Sequence, residues 1–221
     1  MAVSAAVSDV GLRRASQEDA HGASDLHGVY VVADGMGGES AGEVAASIAV
    51  AEALASAVAA PPSADGESVA RTAALAAHGA VAAAAVGSRT GMGCTIVVAV
   101  LRGRRVSVAH VGDSRAYVYS RRGGLRRLTS DHAHPVAKNV LLRAVGGRGG
   151  DSPDVSSDEI PPGGVLMLCT DGLHGPVDDA VTSRAMGATI GRGVGACARE
   201  LVKEAMAAGG PDNVTAMVVE P

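Results

Sequence analysis

The stretch Val29-Tyr-Val-Val-Ala-Asp-Gly-Met-Gly-Gly38 sets the reading of this chain: a short apolar run meets an aspartate and then a glycine-rich turn. Three more segments share that plan. Residues 106–111 run into Gly112-Asp113, residues 165–169 pass through Thr170 into Asp171-Gly172, and Asp212-Asn213 precedes the apolar run 214–219. Apolar runs of this length between turn signals read as buried strands. A carboxylate just past a strand end sits at the rim of a sheet, rigidly held and open to solvent. Four carboxylates gathered at one rim would repel one another unless cations neutralised them. Oxygen-only ligands of this kind suit Mg²⁺ or Mn²⁺ better than Zn²⁺.

Outward from these runs, residues 2–9 alternate loosely and read as an edge or early strand. Ser40-x-x-Glu43 has the spacing of a capping box. It opens an Ala-rich helix to about residue 59, whose expected core stripe is Val44, Ile48, Ala51, Ala55 and Val58. Pro61-Pro62 ends that helix. A second Ala-rich helix, over roughly 66–87, is expected to pack with the first as a hairpin on a sheet face. Residues 93–129 read as a meander, with strands near 93–101, 105–111, 114–120 and 125–128. Successive turns of a meander alternate between the two ends of a sheet. Asp113 is therefore expected at one end, and the arginine clusters around 102–105 and 121–127 at the other. Strands near 154–159 and 164–170, helices at 177–186 and 194–208, and a last strand at 213–219 complete the chain. Strand runs flanked by helix pairs, without regular βαβ alternation, predict an α+β fold, in one domain over residues 1–221.

Composition narrows the function. The 221 residues include no Phe, no Trp and three Tyr, so Ala, Val, Leu, Ile and Met must fill the core. A formal charge of −4 argues against a nucleic-acid binder, and the arginine clusters read as solvated hairpin ends. Cys94, Cys169 and Cys197 are odd in number and lack metal-ligand spacing, which suits reduced core residues of a cytosolic protein. No uninterrupted apolar run reaches membrane-spanning length, and the N-terminus lacks a signal-peptide pattern. A cytoplasmic protein without a membrane partner is the expectation.

Seven segments then occur in a fixed order. They are Asp9-x-Gly-x-x-Arg14-x-x-x-Glu18-Asp19, Asp34-Gly-Met-Gly-Gly38 with Gly42-Glu43, Val111-Gly-Asp-Ser-Arg-Ala-Tyr117, Leu128-Thr-x-Asp-His132, Arg143-Ala-Val-Gly146, Thr170-Asp-Gly-Leu173 and Asp212-Asn-x-Thr215. As a set they resemble the type-2C, metal-dependent Ser/Thr protein phosphatases in their bacterial form. The resemblance implies a central β-sandwich of two antiparallel sheets flanked by helix pairs, four layers in α-β-β-α order. It also implies two Mn²⁺ or Mg²⁺ ions at one edge of the sandwich, with a weaker third.

Carried over residue by residue, Asp34 would bridge the two ions and the Gly35 carbonyl would ligate one of them. Asp171 and Asp212 would complete the other, while Asp113 with Asp171 would hold the third. Glu18 and Asp19 would hold the ions' waters from behind, with Asn213 in the same outer layer. The implied reaction is in-line attack on a phosphomonoester by a metal-bridging water or hydroxide, without a covalent intermediate. Arg14 would hold the phosphoryl oxygens; Arg13 competes for that role, and the motif spacing favours Arg14. The implied partners are phosphoprotein substrates and a cognate Ser/Thr kinase, with a monomer expected.

Departures from the family pattern carry expectations of their own. Met36 stands where many eukaryotic members carry a histidine, so no proton donor is assigned. Gln17 in place of a frequent asparagine, and Cys94 in a strand start where threonine is usual, are expected to be nearly silent. Only residues 133–142 occupy the place of the helical flap of bacterial relatives, which predicts a short connection and an open site. A regulatory phosphatase serving one small phosphoprotein, or a phosphoprotein binder without turnover, would carry similar motifs. The presence of Asp34, Asp171 and Asp212 together favours catalysis.

Overall fold

The computed structural model describes residues 2–36, 41–137, 140–147 and 149–221. One sheet runs in the order β1 (Val3–Asp9), β11 (Val214–Glu220), β10 (Val165–Cys169), β7 (Arg115–Ser120) and β8 (Gly124–Arg127). The other runs β2 (Asp19–Ser24), β3 (Val29–Met36), β5 (Ile96–Arg102), β6 (Arg105–Val111) and β9 (Asp154–Glu159), with the two-residue β4 (Gly93–Cys94) paired to the end of β3. Each of these pairings is antiparallel. Helices α1 (Ala41–Val58) and α2 (Gly66–Ala84) cover one outer face; the four-residue α3 (Asp171–His174), α4 (Asp179–Thr189) and α5 (Val194–Ala207) cover the other. The expected α+β sandwich of four layers is the architecture found.

The period of two along each strand builds three cores between the four layers. Val29, Val31 and Ala33 face α1 and α2, whereas Tyr30 and Val32 face inward to meet Leu166, Leu168 and Met217 of the other sheet. Tyr117, Tyr119, Met167 and Val218 face α4 and α5. With no Phe or Trp, closeness replaces bulk: α1 and α2 contribute Ala45, Ala46, Ala49, Ala53, Ala70, Ala73, Ala74 and Ala77 to the first of these cores.

That closeness overturns the expected stripe on α1. The buried face is Gly42, Ala45, Ala46, Ala49, Val50, Ala53 and Ala57, while Ala51 and Ala55 are exposed and Val44 and Ile48 only flank the core. Small residues let α1 lie close on β3 and α2, so the larger side chains move to the margins. Its 18 residues, with mean hydropathy 1.5, would suffice by length and composition to cross a membrane. Here that apolarity is used by packing on a sheet and a neighbouring helix. The expected Ser40 cap lies outside the described residues. Asp65 caps α2 by accepting from Ser68 N at 2.9 Å.

Residues 93–129 are not one meander. The chain leaves one sheet after β6 and enters the other at β7, so the Gly112-Asp113 turn crosses the sandwich instead of closing a hairpin. The inference about ends survives. The β5–β6 and β7–β8 turns lie at the end opposite Asp113, and none of their arginines lines the carboxylate cavity described below. Strand β2 had no counterpart in the sequence reading. Its segment Asp19-Ala-His-Gly-Ala-Ser24 shows little apolar pattern because it is the last strand of its sheet.

Candidate active site

Seven chain segments converge on a cavity of about 320 Å³ lined by Arg14, Glu18, Asp34, Gly35, Met36, Thr95, Asp113, Leu141, Asp171 and Asp212. All four aspartates picked out by their neighbouring apolar runs are thus brought together. One local detail differs: β3 continues through Asp34 to Met36 and there pairs with β4, so Asp34 lies within the strand and not past its end. A larger cavity of about 520 Å³ opens at the far end of the sandwich. Among the described residues Asp25 is the only carboxylate side chain lining it, so the smaller cavity is the chemical one.

Each aspartate is fixed through its backbone or its neighbours. Asp34 N donates to Thr95 Oγ1 at 3.0 Å and Thr95 N to Asp34 O at 2.8 Å, a two-point grip from the strand opposite. Gly35 N donates to Glu18 O at 3.1 Å. A Cβ at position 35 would fall 2.1 Å from the Gly42 carbonyl oxygen, so only glycine lets α1 come so near. Asn213 Nδ2 donates to Val10 O and Ser16 O at 2.9 and 2.8 Å, and its Oδ1 accepts from Glu18 N at 2.8 Å. Asn213 therefore spends its amide on anchoring the loop that carries Arg14 and Glu18 beside Asp212.

Asp19 ties the two sheets together at this end. Its Oδ2 accepts from Thr170 Oγ1 at 2.8 Å and from Thr215 Oγ1 at 2.7 Å, both on the opposite sheet side. Behind them Gln17 Nε2 donates to Ser8 Oγ at 2.8 Å, and Ser8 Oγ lies 2.8 Å from Thr215 Oγ1. Since Thr215 gives its proton to Asp19, Ser8 must donate to Thr215, and the chain of donors runs one way toward the carboxylate. Gln17 Oε1 also accepts from Asp19 N at 3.1 Å. Gln17 is thus hydrogen-bonded into the support of Asp19. Ser8, Thr95, Thr170 and Thr215 were missed from sequence. The last two stand inside quoted motifs, one residue before Asp171 and three after Asp212, and that spacing was the available signal.

The electrostatics explain what the cavity needs. Burial, then the charges of Asp19 and Asp171, hold Asp34 well above the usual carboxylate range. Burial likewise pushes Asp19 and Asp113 up to about 7 and raises Asp171. Arg14 Nη2 meets Asp212 Oδ2 at 2.6 Å, and Arg14 is the one cationic side chain lining the cavity among the described residues. Asp19 Oδ1 and Asp171 Oδ1 are buried without a hydrogen-bond partner. Buried anionic oxygens without donors are costly. An all-oxygen donor set with spare carboxylate valence fits hard divalent cations, so the residues present match the ions that the sequence resemblance implied.

Around the mouth, residues 132–134 pair with residues 140–142. Ala133 bridges Leu141, His134 N donates to Val140 O at 2.8 Å, and Leu142 N donates to His132 O at 2.7 Å. Among the described residues no helix stands between Asp131 and Arg143, as the short connection predicted. Among the described residues of this segment, Leu141 lines the cavity.

Comparison with known proteins agrees with this geometry. The profile of the protein phosphatase 2C family matches residues 13–208. The serine/threonine protein phosphatase PstP of Mycobacterium tuberculosis is 34% identical over 238 residues, covering 98% of this chain and 44% of its own length. The serine/threonine phosphatase stp of Listeria innocua is 32% identical over 148 residues, 59% of this chain and 57% of its own length. The chain thus spans about half the length of these curated relatives. The crystal structure of M. tuberculosis PstP/Ppp superposes with a TM-score of 0.88 at 32% identity, covering 99% of this chain and 98% of that one. A PstP catalytic domain in complex with two manganese ions superposes with 0.87 at 33% identity, covering 99% and 97%. The ordered motifs, the sandwich and the carboxylate cavity lead to one conclusion: the chain belongs to the protein phosphatase 2C family.

Proposed function

We propose that residues 1–221 form one catalytic domain of a metal-dependent protein Ser/Thr phosphatase that hydrolyses phosphomonoesters on phosphoproteins. The observation that carries this reading is the convergence of Asp34, Asp113, Asp171 and Asp212 on one cavity beside Arg14. Asp34, the Gly35 carbonyl, Asp171 and Asp212 would hold two Mn²⁺ or Mg²⁺ ions, and Asp113 with Asp171 a weaker third. Such cations, when bound, neutralise the carboxylates and the phosphoryl oxygens and acidify a water.

The chain's own residues do the rest. Arg14 spends Nη2 on Asp212, and the remainder of its half-exposed fork is available to phosphoryl oxygens at the mouth. Asp19 presents the unpartnered Oδ1 as an acceptor for a water proton, while two threonine hydroxyls keep Oδ2 in place. Glu18 lines the same wall. Met36 and Leu141 give the cavity apolar walls that offer no competing donor.

A cognate Ser/Thr kinase, phosphoprotein signalling in a bacterial cell, and a monomeric state complete the proposal. The buried free thiols of Cys94, Cys169 and Cys197 support a reducing, cytoplasmic setting. The test is hydrolysis of a phosphothreonine peptide and of an aryl phosphate with Mn²⁺ and with chelator. Turnover that survives chelation, or none under either condition, overturns the reading. In the same assay Arg14→Ala is expected to lower kcat/KM about 10- to 100-fold, the worth of a lost charge-assisted hydrogen bond. Arg14→Lys should recover only part of that loss, because a point charge does not replace a fork.

A further inference from the structure

His132 is locked onto the residue preceding Asp113. Its backbone N–H donates to the Gly112 carbonyl at 2.9 Å, and its Nδ1 accepts the Gly112 N–H at 3.2 Å. Both peptide groups of Gly112 are thereby closed by one partner. Gly112 has φ of +100°, and a Cβ there would lie 2.6 Å from Thr95, so the turn has neither another residue type nor lateral room available. Beyond Asp113, His174 Nε2 donates to the Asp113 carbonyl at 3.0 Å. Two histidines from separate segments thus grip the backbone on either side of the Asp113 carboxylate.

The imidazole of His132 is itself fixed. Because Nδ1 accepts from Gly112, the ring proton stands on Nε2, which lies 3.2 Å from Asp154 Oδ2. Arg143 Nη1 holds the same carboxylate through Oδ1 at 2.7 Å. One face of the ring stacks on His110, with centroids 4.7 Å apart and 19° between planes, and His110 Nε2 donates to Ser130 O at 2.8 Å. His110, His132 and Asp154 offer ligand atoms within 4.8 Å of one another, a spacing that could suggest a cation. Two nearly parallel stacked rings cannot aim their in-plane lone pairs at one point, and Arg143 already neutralises Asp154. The trio is a support and not a metal site.

We infer that His132 is a positioning residue for Asp113, setting through Gly112 where that carboxylate stands beside Asp171, and hence the affinity for the weaker third cation. The inference rests on the assignment of Asp113 to that cation in the proposed function. Asparagine places an oxygen where Nδ1 of histidine stands, whereas glutamine reaches to the place of Nε2. The two substitutions therefore separate the grip on Gly112 from mere bulk at the site.

The experiment measures Mn²⁺ binding to the full chain by calorimetry, and amide exchange of Gly112 in chelator, for the parent protein, His132→Asn, His132→Gln and Asp113→Asn. In His132→Gln the weak ion should bind about 10- to 100-fold less tightly, as when an outer support of a ligand is lost. The tight ions should be unchanged, and the Gly112 amide should exchange faster. His132→Asn should stay within about threefold of the parent on both readouts, since its oxygen still accepts from Gly112. Equal behaviour of the Asn and Gln variants overturns the inference. If Asp113→Asn removes the weak ion and His132→Gln does not, the inference alone falls. If Asp113→Asn leaves weak binding intact, the assignment of Asp113 falls and the inference with it. Should His132→Gln not fold, Asp154→Ala frees the same imidazole from a more exposed position and should weaken the third ion about 10-fold.

Discussion

Asp34→Asn is expected to abolish turnover while making the metal-free protein more stable. Asp34 is the carboxylate most surrounded by others: burial, then Asp19 and Asp171, hold its acidity far below that of a free side chain. At pH 7.5 the unfolded chain ionises this group freely, whereas the folded, metal-free chain must keep it protonated or bury an unpaired charge. The neutral isostere removes that conflict, so Asp34→Asn is expected to raise the Tm of the metal-free protein. The amide can still donate toward Asp171, so packing is unchanged. Catalysis requires what stability does not: on the proposed ligand set the cations would lose a carboxylate, and activity should fall by about a thousandfold or more, on the order of 4 kcal/mol or more of lost transition-state stabilisation. The measurement pairs thermal unfolding in chelator with aryl phosphate hydrolysis in Mn²⁺. A variant that is less stable in chelator, or that keeps a tenth of the activity, would show that Asp34 is a structural residue.

The second large effect is a change of sign with pH. Asp19 and Asp113 stand near 7 and Asp34 is raised as well, all above their unfolded values. Groups raised in the folded state bind protons more tightly there, so their contribution is present at low pH and is lost as pH rises through the folded values. The metal-free protein should therefore lose about 1–3 kcal/mol between pH 7 and 8.5, seen as roughly 3–10 °C in Tm. His21, His110 and His174 are lowered by burial and act in the opposite direction, but their effect belongs to pH below about 7, where the unfolded imidazole charges. The buried thiols Cys94, Cys169 and Cys197 are raised and add to the alkaline loss. Saturating Mn²⁺ separates the two causes. Cation binding competes with protons at the carboxylates and not at the thiols, so with Mn²⁺ the Tm should rise from pH 7 to 8.5. A chelator profile that rises with pH, or a Mn²⁺ profile parallel to it, refutes the account.

Much of this site was legible in the sequence because each principal carboxylate stands where a hydrophobic run meets a turn signal. Asp34, Asp113, Asp171 and Asp212 could be read one at a time from their neighbours. What could not be read this way depends on partners distant in the chain. The Asp19 staple joins residues 151 and 196 positions apart, and a threonine hydroxyl aimed at it looks locally like any strand residue. Strand β2 was missed because an edge strand need not alternate. The face of α1 was misassigned because hydrophobic size was taken as the guide, whereas in a core without Phe or Trp the nearest approach is made by the smallest side chains. The Gly112-Asp113 turn read as a hairpin because nothing local tells a strand which of two sheets to join next.

The crossing at that turn has a wider consequence. Asp34 belongs to one half of the sandwich, Asp171 and Asp212 to the other, and Asp113 to the link between them. Neither half carries enough of the ligand set alone, so the cations have no place to sit until the halves have docked. Bound ions then act as a rivet across the seam, resisting its opening while contributing little to the steps that first bring it together.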